Sequence, residues 1–254
     1  MSTWLTGALF LTGAVVFSLA GLVAARRWLP VDPLKEHHDV AAALFAIEGT
    51  IYAVILAFAV VIVWQAYTDT QSTVAEEANA LGDLERMSRG FPVVIRREVH
   101  EAAQTYAHVV IHREWPEMAH GRSSEQAEAE LIALWHVYTD MPQSERSSPL
   151  YSESLTQLNT VTDNRRLRLL ASKNRVQPVM WLMLVVGGVI SVAFSYLFAV
   201  GSFRLHALMT ALLAGMIAFA LFLIVALNGP FLGDVKVQPT AFETAIHLME
   251  HVGG

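Results

Sequence analysis

The sequence predicts an all-α membrane protein that crosses the bilayer four times, with a helical soluble region between the second and third spans. Hydrophobic residues make up 54% of the 254 residues and charged residues only 16%, well below the quarter typical of soluble domains. Four apolar segments are each long enough to cross a bilayer. The polar segments carry apolar residues at helical spacing and none with period two, so the sequence predicts no strands.

The first predicted membrane hairpin covers residues 1–66, with spans at about 3–25 and 42–66. No charged side chain precedes Arg26, and the chain lacks the basic start of a secretory signal, so we expect the first span to be retained. Two prolines in the following polar link end the first helix. The second span carries one charged residue, Glu48.

Residues 67–177 form the predicted soluble region. No turn signal separates it from the second span, and the sequence after Tyr67 continues with an amphipathic helical stripe: Val74, Ala78, Leu81, Leu84 and Met87. The sequence therefore predicts one helix of about 45 residues that passes from lipid into water and ends before Gly90 and Pro92. Three further helices are predicted, and Ser148 followed by Pro149 marks the start of the last one.

Residues 178–233 form the second predicted hairpin, with spans at about 179–202 and 206–228, and residues 234–254 form a tail with one short helix. Four spans place both termini and the soluble region on the same side of the membrane. The charges near the spans give a divided answer about which side. Arg26 and Arg27 favour a cytoplasmic short loop, whereas the basic residues before the third span favour a cytoplasmic soluble region.

Composition and motifs argue against several classes of function. The chain has no cysteine, which excludes disulfides and thiolate metal sites, and its net charge of −6 argues against a nucleic-acid partner. No nucleophile elbow, phosphate-binding glycine loop or dinucleotide fingerprint is present, so we expect no enzyme and no cofactor. His100, His108 and His112 share a helical face, but no carboxylate completes a metal site there, so a solvated face is predicted.

Two groups of charged residues have alternative interpretations. An ionisable residue inside a span is costly and often functional, so Glu48 either lies at the level of the lipid headgroups or, with His38, marks the mouth of a pore. The basic residues Arg165, Arg166 and Arg168 either attract anions or anionic headgroups, or form a solvated face beside the membrane.

The order of segments resembles that of bestrophins and, more closely, the bacterial family called bestrophin-like. The resemblance is carried by IYAVILAFAVVIVWQAYTDT, AEEANALGDLERMSRGFP, HREWPEM, RRLRLLA with QPVMW, and LNGPFLG. It implies a homo-oligomeric ion channel, with a pentamer favoured, whose axis is lined by the second span and which conducts inorganic ions, mainly anions such as chloride. It also implies a bacterial inner (plasma) membrane protein with cytoplasmic termini and a cytoplasmic soluble region.

The resemblance also implies the position of a constriction. Bestrophins narrow the pore with apolar residues one turn apart, ending in the Phe of an LGF-like stretch, and Leu56–Phe58 (LAF) matches that stretch here. Steps of four residues back from Phe58 reach Val54 and Thr50 on the same helical face. Such a ring would gate ion flow by dewetting, although Thr50 is more polar than a constriction residue of this kind.

Two departures limit the resemblance. Animal bestrophins follow the fourth span with an acidic run that binds calcium, whereas only Asp234 follows LNGPFLG here. Calcium prefers six to eight oxygen ligands, so we expect no calcium switch. The second span is also very apolar for a pore lining. This favours an alternative function, a non-conducting membrane scaffold or sensor whose soluble helices bind a partner.

Overall fold

The computed structural model describes residues 3–28, 38–198 and 200–252, without the side chains of His38 and Val252. The regular elements of these ranges are helical, and four of the helices are long and apolar enough to cross a membrane, which confirms the predicted fold class. In chain order the helices are α1 (Thr3–Trp28), α2 (His38–Ser88), α3 (Val93–Val109), α4 (Trp115–Met118), α5 (Glu125–Thr139), α6 (Gln143–Arg146), α7 (Pro149–Lys173), α8 (Pro178–Ser195), α9 (Phe203–Leu227) and α10 (Thr240–Val252).

The chain divides into two compact units. The membrane unit comprises residues 1–65, 175–228 and 233–235, and thus contains α1, the first half of α2, α8 and α9. The soluble unit comprises residues 66–174, 229–232 and 236–254, and therefore includes the C-terminal helix α10.

In the membrane unit, α1 packs along α9 through small residues that allow a close approach. A Cβ on Gly7 would lie only 2.6 Å from the Phe222 ring. The C-terminal end of α8 is joined to α1 by the Tyr196 hydroxyl, which donates a 2.7 Å hydrogen bond to the backbone oxygen of Ser18. A polar side chain thus fixes a contact that, in lipid, cannot rest on the hydrophobic effect alone.

Helix α2 packs on α8 through Tyr52. The tyrosine ring lies against Gly187 and Gly188, where an added Cβ would meet ring or hydroxyl atoms at 2.5 and 2.9 Å. The Tyr52 hydroxyl donates a 2.9 Å hydrogen bond to the Leu184 carbonyl. Because the ring is both wedged and hydrogen-bonded, it fixes the rotation of α2 about its own axis within the membrane unit.

The soluble unit is a bundle of helices around an apolar core whose largest members include Tyr106, Tyr138 and Phe242. Trp115 joins the C-terminal segment to this core. Its indole N–H donates to the Val237 carbonyl at 3.2 Å, and its ring makes edge contacts with Phe231 and Phe242. Helix α10 is therefore part of the soluble core.

Local sequence signals account for the helix boundaries. The Ser148 side chain accepts a 3.1 Å hydrogen bond from the Tyr151 amide at the start of α7, and Ser124 caps α5 in the same way. Between α3 and α4 the helix continues through a π turn, Val110–Glu114. Such a turn takes up one extra residue and so changes which side chains point inward after it. Glu114 ends this turn and is fully buried.

Candidate functional site

One apolar face of the membrane half of α2 is not covered by any of the described residues. Its residues recur at three- and four-residue spacing, and we call them the α2 stripe: Ile47, Thr50, Ile51, Val54, Phe58, Val61 and Ile62. All seven are exposed, whereas Tyr52, Ala59 and Val63 on the opposite face are buried. The stripe is therefore available to lipid, to other subunits or to the wall of a pore.

The three predicted constriction residues all lie on the α2 stripe. Val54 is 48% exposed and Phe58, one turn further on, is 65% exposed. The Thr50 hydroxyl donates a 2.7 Å hydrogen bond to the Ala46 carbonyl of its own helix. Because that bond satisfies the hydroxyl locally, Thr50 adds little polarity to the stripe, and the stripe can act as an apolar surface along its whole length.

Glu48 does not lie on the α2 stripe. Its Oε1 accepts a 2.7 Å hydrogen bond from the Ser191 hydroxyl on α8, and Tyr52 follows it one turn later on the same buried side. Thr50 lies two positions after Glu48, which corresponds to a rotation of about 200° around the helix axis. Glu48 Oε2 is buried and has no hydrogen-bond partner among the described residues. His38 begins α2, but its side chain lies outside the described residues.

The predicted basic patch is not a single solvated surface. Arg165 and Arg168 are buried at 4% and 0% exposure, and only Arg166 is exposed. The spacing of the three residues explains the error, because positions 165 and 168 lie on the inward face of α7 while position 166 is rotated by about 100° from the first. The two buried arginines thus face the protein interior and not anions or lipid headgroups in solution.

A network of buried ion pairs holds these two arginines. Arg168 binds Glu77 through two hydrogen bonds, of 2.6 Å from Nε and 2.9 Å from Nη2. Its Nη2 also donates to Glu114 Oε2 at 2.9 Å, and Arg165 Nη2 donates to Glu114 Oε1 at 2.7 Å. Arg165 further pairs with Glu128. The network therefore connects α2, the π turn, α5 and α7 inside the soluble unit.

The environment of the network favours its charged form. Burial alone would raise the pKa of Glu114, but the adjacent Arg168 and Arg165 outweigh it and hold that pKa below its ordinary value. Tyr106 donates a 2.7 Å hydrogen bond to Glu77, and its pKa is raised by burial and by the Glu77 charge. The hydroxyl therefore stays protonated and remains a donor. The role of this network is structural, since it joins helices across the core of the soluble unit.

Sequence reasoning missed Glu77, Glu114 and Tyr106. A signal for Glu77 was present, because it lies between Val74 and Leu81 on the apolar face of an amphipathic helix, where a carboxylate needs a buried partner. Among the described residues, no group of three or more His, Cys, Asp or Glu side chains could hold a metal ion.

A family model provides the observation that decides the family. The model of the bestrophin-like domain matches residues 12–242, which is most of the chain. The chain belongs to the bestrophin-like family. The resemblance predicted from the sequence is thereby confirmed, and membership supports a channel-type membrane protein rather than an enzyme. The chain matches no curated protein.

Solved structures of bestrophin homologues share the fold. A substituted variant of a bacterial bestrophin homologue from Klebsiella pneumoniae is 13% identical, with a TM-score of 0.74, and the match covers 100% of this chain and 99% of that chain. A second variant of the Klebsiella homologue is 12% identical with a TM-score of 0.72, covering 96% and 99% of the two chains. A structure described as a membrane protein matches at 12% identity with a TM-score of 0.72, covering 96% and 98%. Because the identity is so low, these matches show that the chains share a fold and nothing more.

Proposed function

We propose that this protein is a homo-oligomeric ion channel, mainly conducting anions such as chloride, whose pore is lined by the α2 stripe of each subunit. The observation that carries the proposal is the unpartnered stripe itself. Helix α2 runs without interruption from His38 to Ser88, and it leaves one face of its membrane half exposed from Ile47 to Ile62. Several copies arranged around an axis would bring these faces together and cover them.

The constriction in this proposal consists of Thr50, Val54 and Phe58. Phe58 is the largest side chain of the α2 stripe and the most exposed of its hydrophobic residues. A ring of such apolar side chains excludes water when it is narrow and admits it when it widens, so it controls ion flow without a moving lid. In this arrangement Glu48 lies behind the pore wall against α8, and His38 remains a predicted residue of the pore mouth.

The proposed assembly is a pentamer in the bacterial inner membrane, with both termini and the soluble unit in the cytoplasm. The family resemblance supports this arrangement. In the proposed arrangement the soluble helices, the basic segment before α8 and the C-terminal helix lie on one side of the membrane, and the short loops after α1 and α8 lie on the other.

Ion flux measured in liposomes tests the proposal. The purified wild-type protein should pass chloride, and Phe58→Ala should increase the flux several-fold because a smaller side chain widens the constriction. Phe219→Ala is the matched control, since Phe219 is similarly exposed at 58% but lies on α9 away from the α2 stripe. An absence of flux in both wild type and Phe58→Ala would reject the channel.

A second candidate function is a non-conducting membrane scaffold that binds a protein partner. It is favoured by the apolar character of the α2 stripe, which allows close packing without a water-filled axis. The soluble unit also has an open groove with apolar walls and an acidic rim, lined among others by Val94, Met141, Glu98, Asp140 and Glu145. A particle-averaged image of the assembly distinguishes the two functions, because a channel requires an axial hole between the stripes and a scaffold does not.

A further inference from the structure

Arg26 carries a positive charge at the end of the first span. Its Nη2 donates to the Val200 carbonyl and lies 3.1 Å from His206 Nδ1, and its guanidinium lies 5.4 Å from the centre of the Phe203 ring. Neither hydrogen bond uses Nε or Nη1, so among the described residues most of the five donors of this side chain have no hydrogen-bond acceptor.

The histidine beside Arg26 is not a counter-charge. His206 is 2% exposed, and its Nε2 lies 2.8 Å from the Ser195 carbonyl, which can only accept a hydrogen bond. Nε2 therefore carries the hydrogen, and Nδ1 accepts from Arg26. Among the described residues, Arg26 is paired with no carboxylate. The described residues give this cation polar partners but no neutralising charge, and an anion from outside the described chain would supply it.

An apolar groove lies next to the two residues that Arg26 contacts. It is formed by α2, α8, α9 and the turn between α8 and α9, and its walls include Ala42, Phe45, Phe198, Met209, Thr210 and Leu213. Val200 and His206 also line the groove, and they are the two residues to which Arg26 is bonded. The guanidinium thus contacts two residues of the groove wall within the membrane unit.

We propose that this groove binds an anionic phospholipid, with the phosphate on the Arg26 guanidinium and an acyl chain along the groove. Guanidinium and phosphate form paired, charge-assisted hydrogen bonds, and Nε and Nη1, which bond to none of the described residues, suit that geometry. Trp28 is exposed two residues later, as is typical of side chains at the level of the headgroups. The site is separate from the α2 stripe, so it stands whether or not the protein conducts ions.

Native mass spectrometry of the purified protein with equal amounts of phosphatidylglycerol and phosphatidylcholine tests this proposal. We expect about a tenfold preference for phosphatidylglycerol, the size of effect that one charge-assisted hydrogen bond supplies. Arg26→Gln should abolish the preference. Arg27→Gln is the control, because Arg27 is exposed on the same turn and has no contact with the groove.

A second variant protects the test from a folding defect, because Arg26→Gln also removes the bonds to Val200 and His206. Met209→Trp fills the groove and leaves Arg26 in place, and Met209 is 54% exposed, so the larger side chain fits without disturbing the core. It should lower phosphatidylglycerol binding about tenfold. The proposal is overturned if the wild type shows no preference, if Met209→Trp keeps it, if Arg27→Gln loses it equally, or if inorganic phosphate displaces the lipid.

Discussion

Arg168 is the residue on which the soluble unit depends most. It is fully buried, binds Glu77 through two hydrogen bonds and Glu114 through a third, and lies 5.5 Å from the centre of the Trp115 ring. A buried ion pair of this kind adds little net stability over an apolar pair of the same shape. Removal of only one partner lowers the stability strongly, because the other charge is then left buried without a compensating charge.

We therefore predict that Arg168→Gln lowers the free energy of unfolding of the soluble unit by roughly 3–5 kcal/mol. Chemical denaturation followed by tryptophan fluorescence measures the change. Arg97→Gln is the control, because Arg97 forms an exposed pair with Glu101 and its loss should have a small effect. Equal stability of the two variants would show that the buried network contributes no more than a surface pair.

Glu114 gives the soluble unit a dependence on pH. Its pKa in the folded protein lies below the ordinary value of 4.5 because of Arg168 and Arg165, so the unfolded chain binds the proton more readily. The stabilisation is complete above 4.5 and is lost as the pH falls through the lower, folded value.

The thermal midpoint of the soluble unit should therefore fall as the pH is lowered below about 4.5. Glu114→Gln cannot release a proton at this position, and its midpoint should depend less steeply on pH over the same range. Differential scanning calorimetry at a series of pH values checks both expectations. Identical slopes for wild type and variant would assign the acid response to other carboxylates.

At the scale of helices, hydropathy and capping residues were sufficient to predict most of the structure. The second span and the amphipathic stripe after Tyr67 were predicted as one helix of about 45 residues, and α2 has 51. Ser148 and Pro149 begin α7 as expected. These features depend on residues close together in the sequence, so local patterns reveal them.

The contacts between helices could not be predicted in the same way. Glu77 and Arg168 are 91 residues apart, and Ser191 and Glu48 are 143 apart. No local pattern pairs such residues, because their proximity is decided by the packing of whole helices. The α2 stripe was predicted only in part, because a continuous apolar span does not show which of its faces is covered by other helices. The contact of Tyr52 with Gly187 and Gly188 of α8 determines which face of α2 is buried.

The contact of α2 with α8 leads to a prediction about Gly187. A Cβ at this position would lie 2.5 Å from the Tyr52 ring, and the ring cannot move away without losing its hydrogen bond to Leu184. Gly187→Ala should therefore lower the thermal midpoint of the protein in detergent by several degrees. Gly13→Ala should not, because no atom lies within 4 Å of its Cβ position. Combination of Gly187→Ala with Tyr52→Leu should recover part of the loss, and no recovery would contradict this explanation.

At the scale of the whole molecule, four membrane helices and a soluble unit that contains the C-terminal helix agree with the bestrophin-like fold. Four crossings of the bilayer would leave both ends of the described chain on the side of the soluble unit. The sequence alone gave opposing charge signals about which side this is, because basic residues flank the spans at both ends.

The absence of cysteine makes sidedness directly measurable. Single substitutions Ser144→Cys in the soluble unit and Gly201→Cys in the turn before α9 introduce one thiol each, both at exposed positions. In intact spheroplasts a membrane-impermeant maleimide should label Gly201→Cys but not Ser144→Cys, and permeabilisation should expose the second. The reverse pattern would place the soluble unit outside the cytoplasm.

The π turn at Val110–Glu114 makes the response of the chain to a change of length depend on where the change falls. Deletion of one residue from the turn would restore a regular α-helix, and because the turn already takes up that residue, the later side chains would keep their direction. Deletion of one residue from α3, before the turn, would instead rotate every later side chain of that helix by about 100°. Glu114 would then leave both arginines, so a one-residue deletion in α3 would act like the loss of a carboxylate from the core.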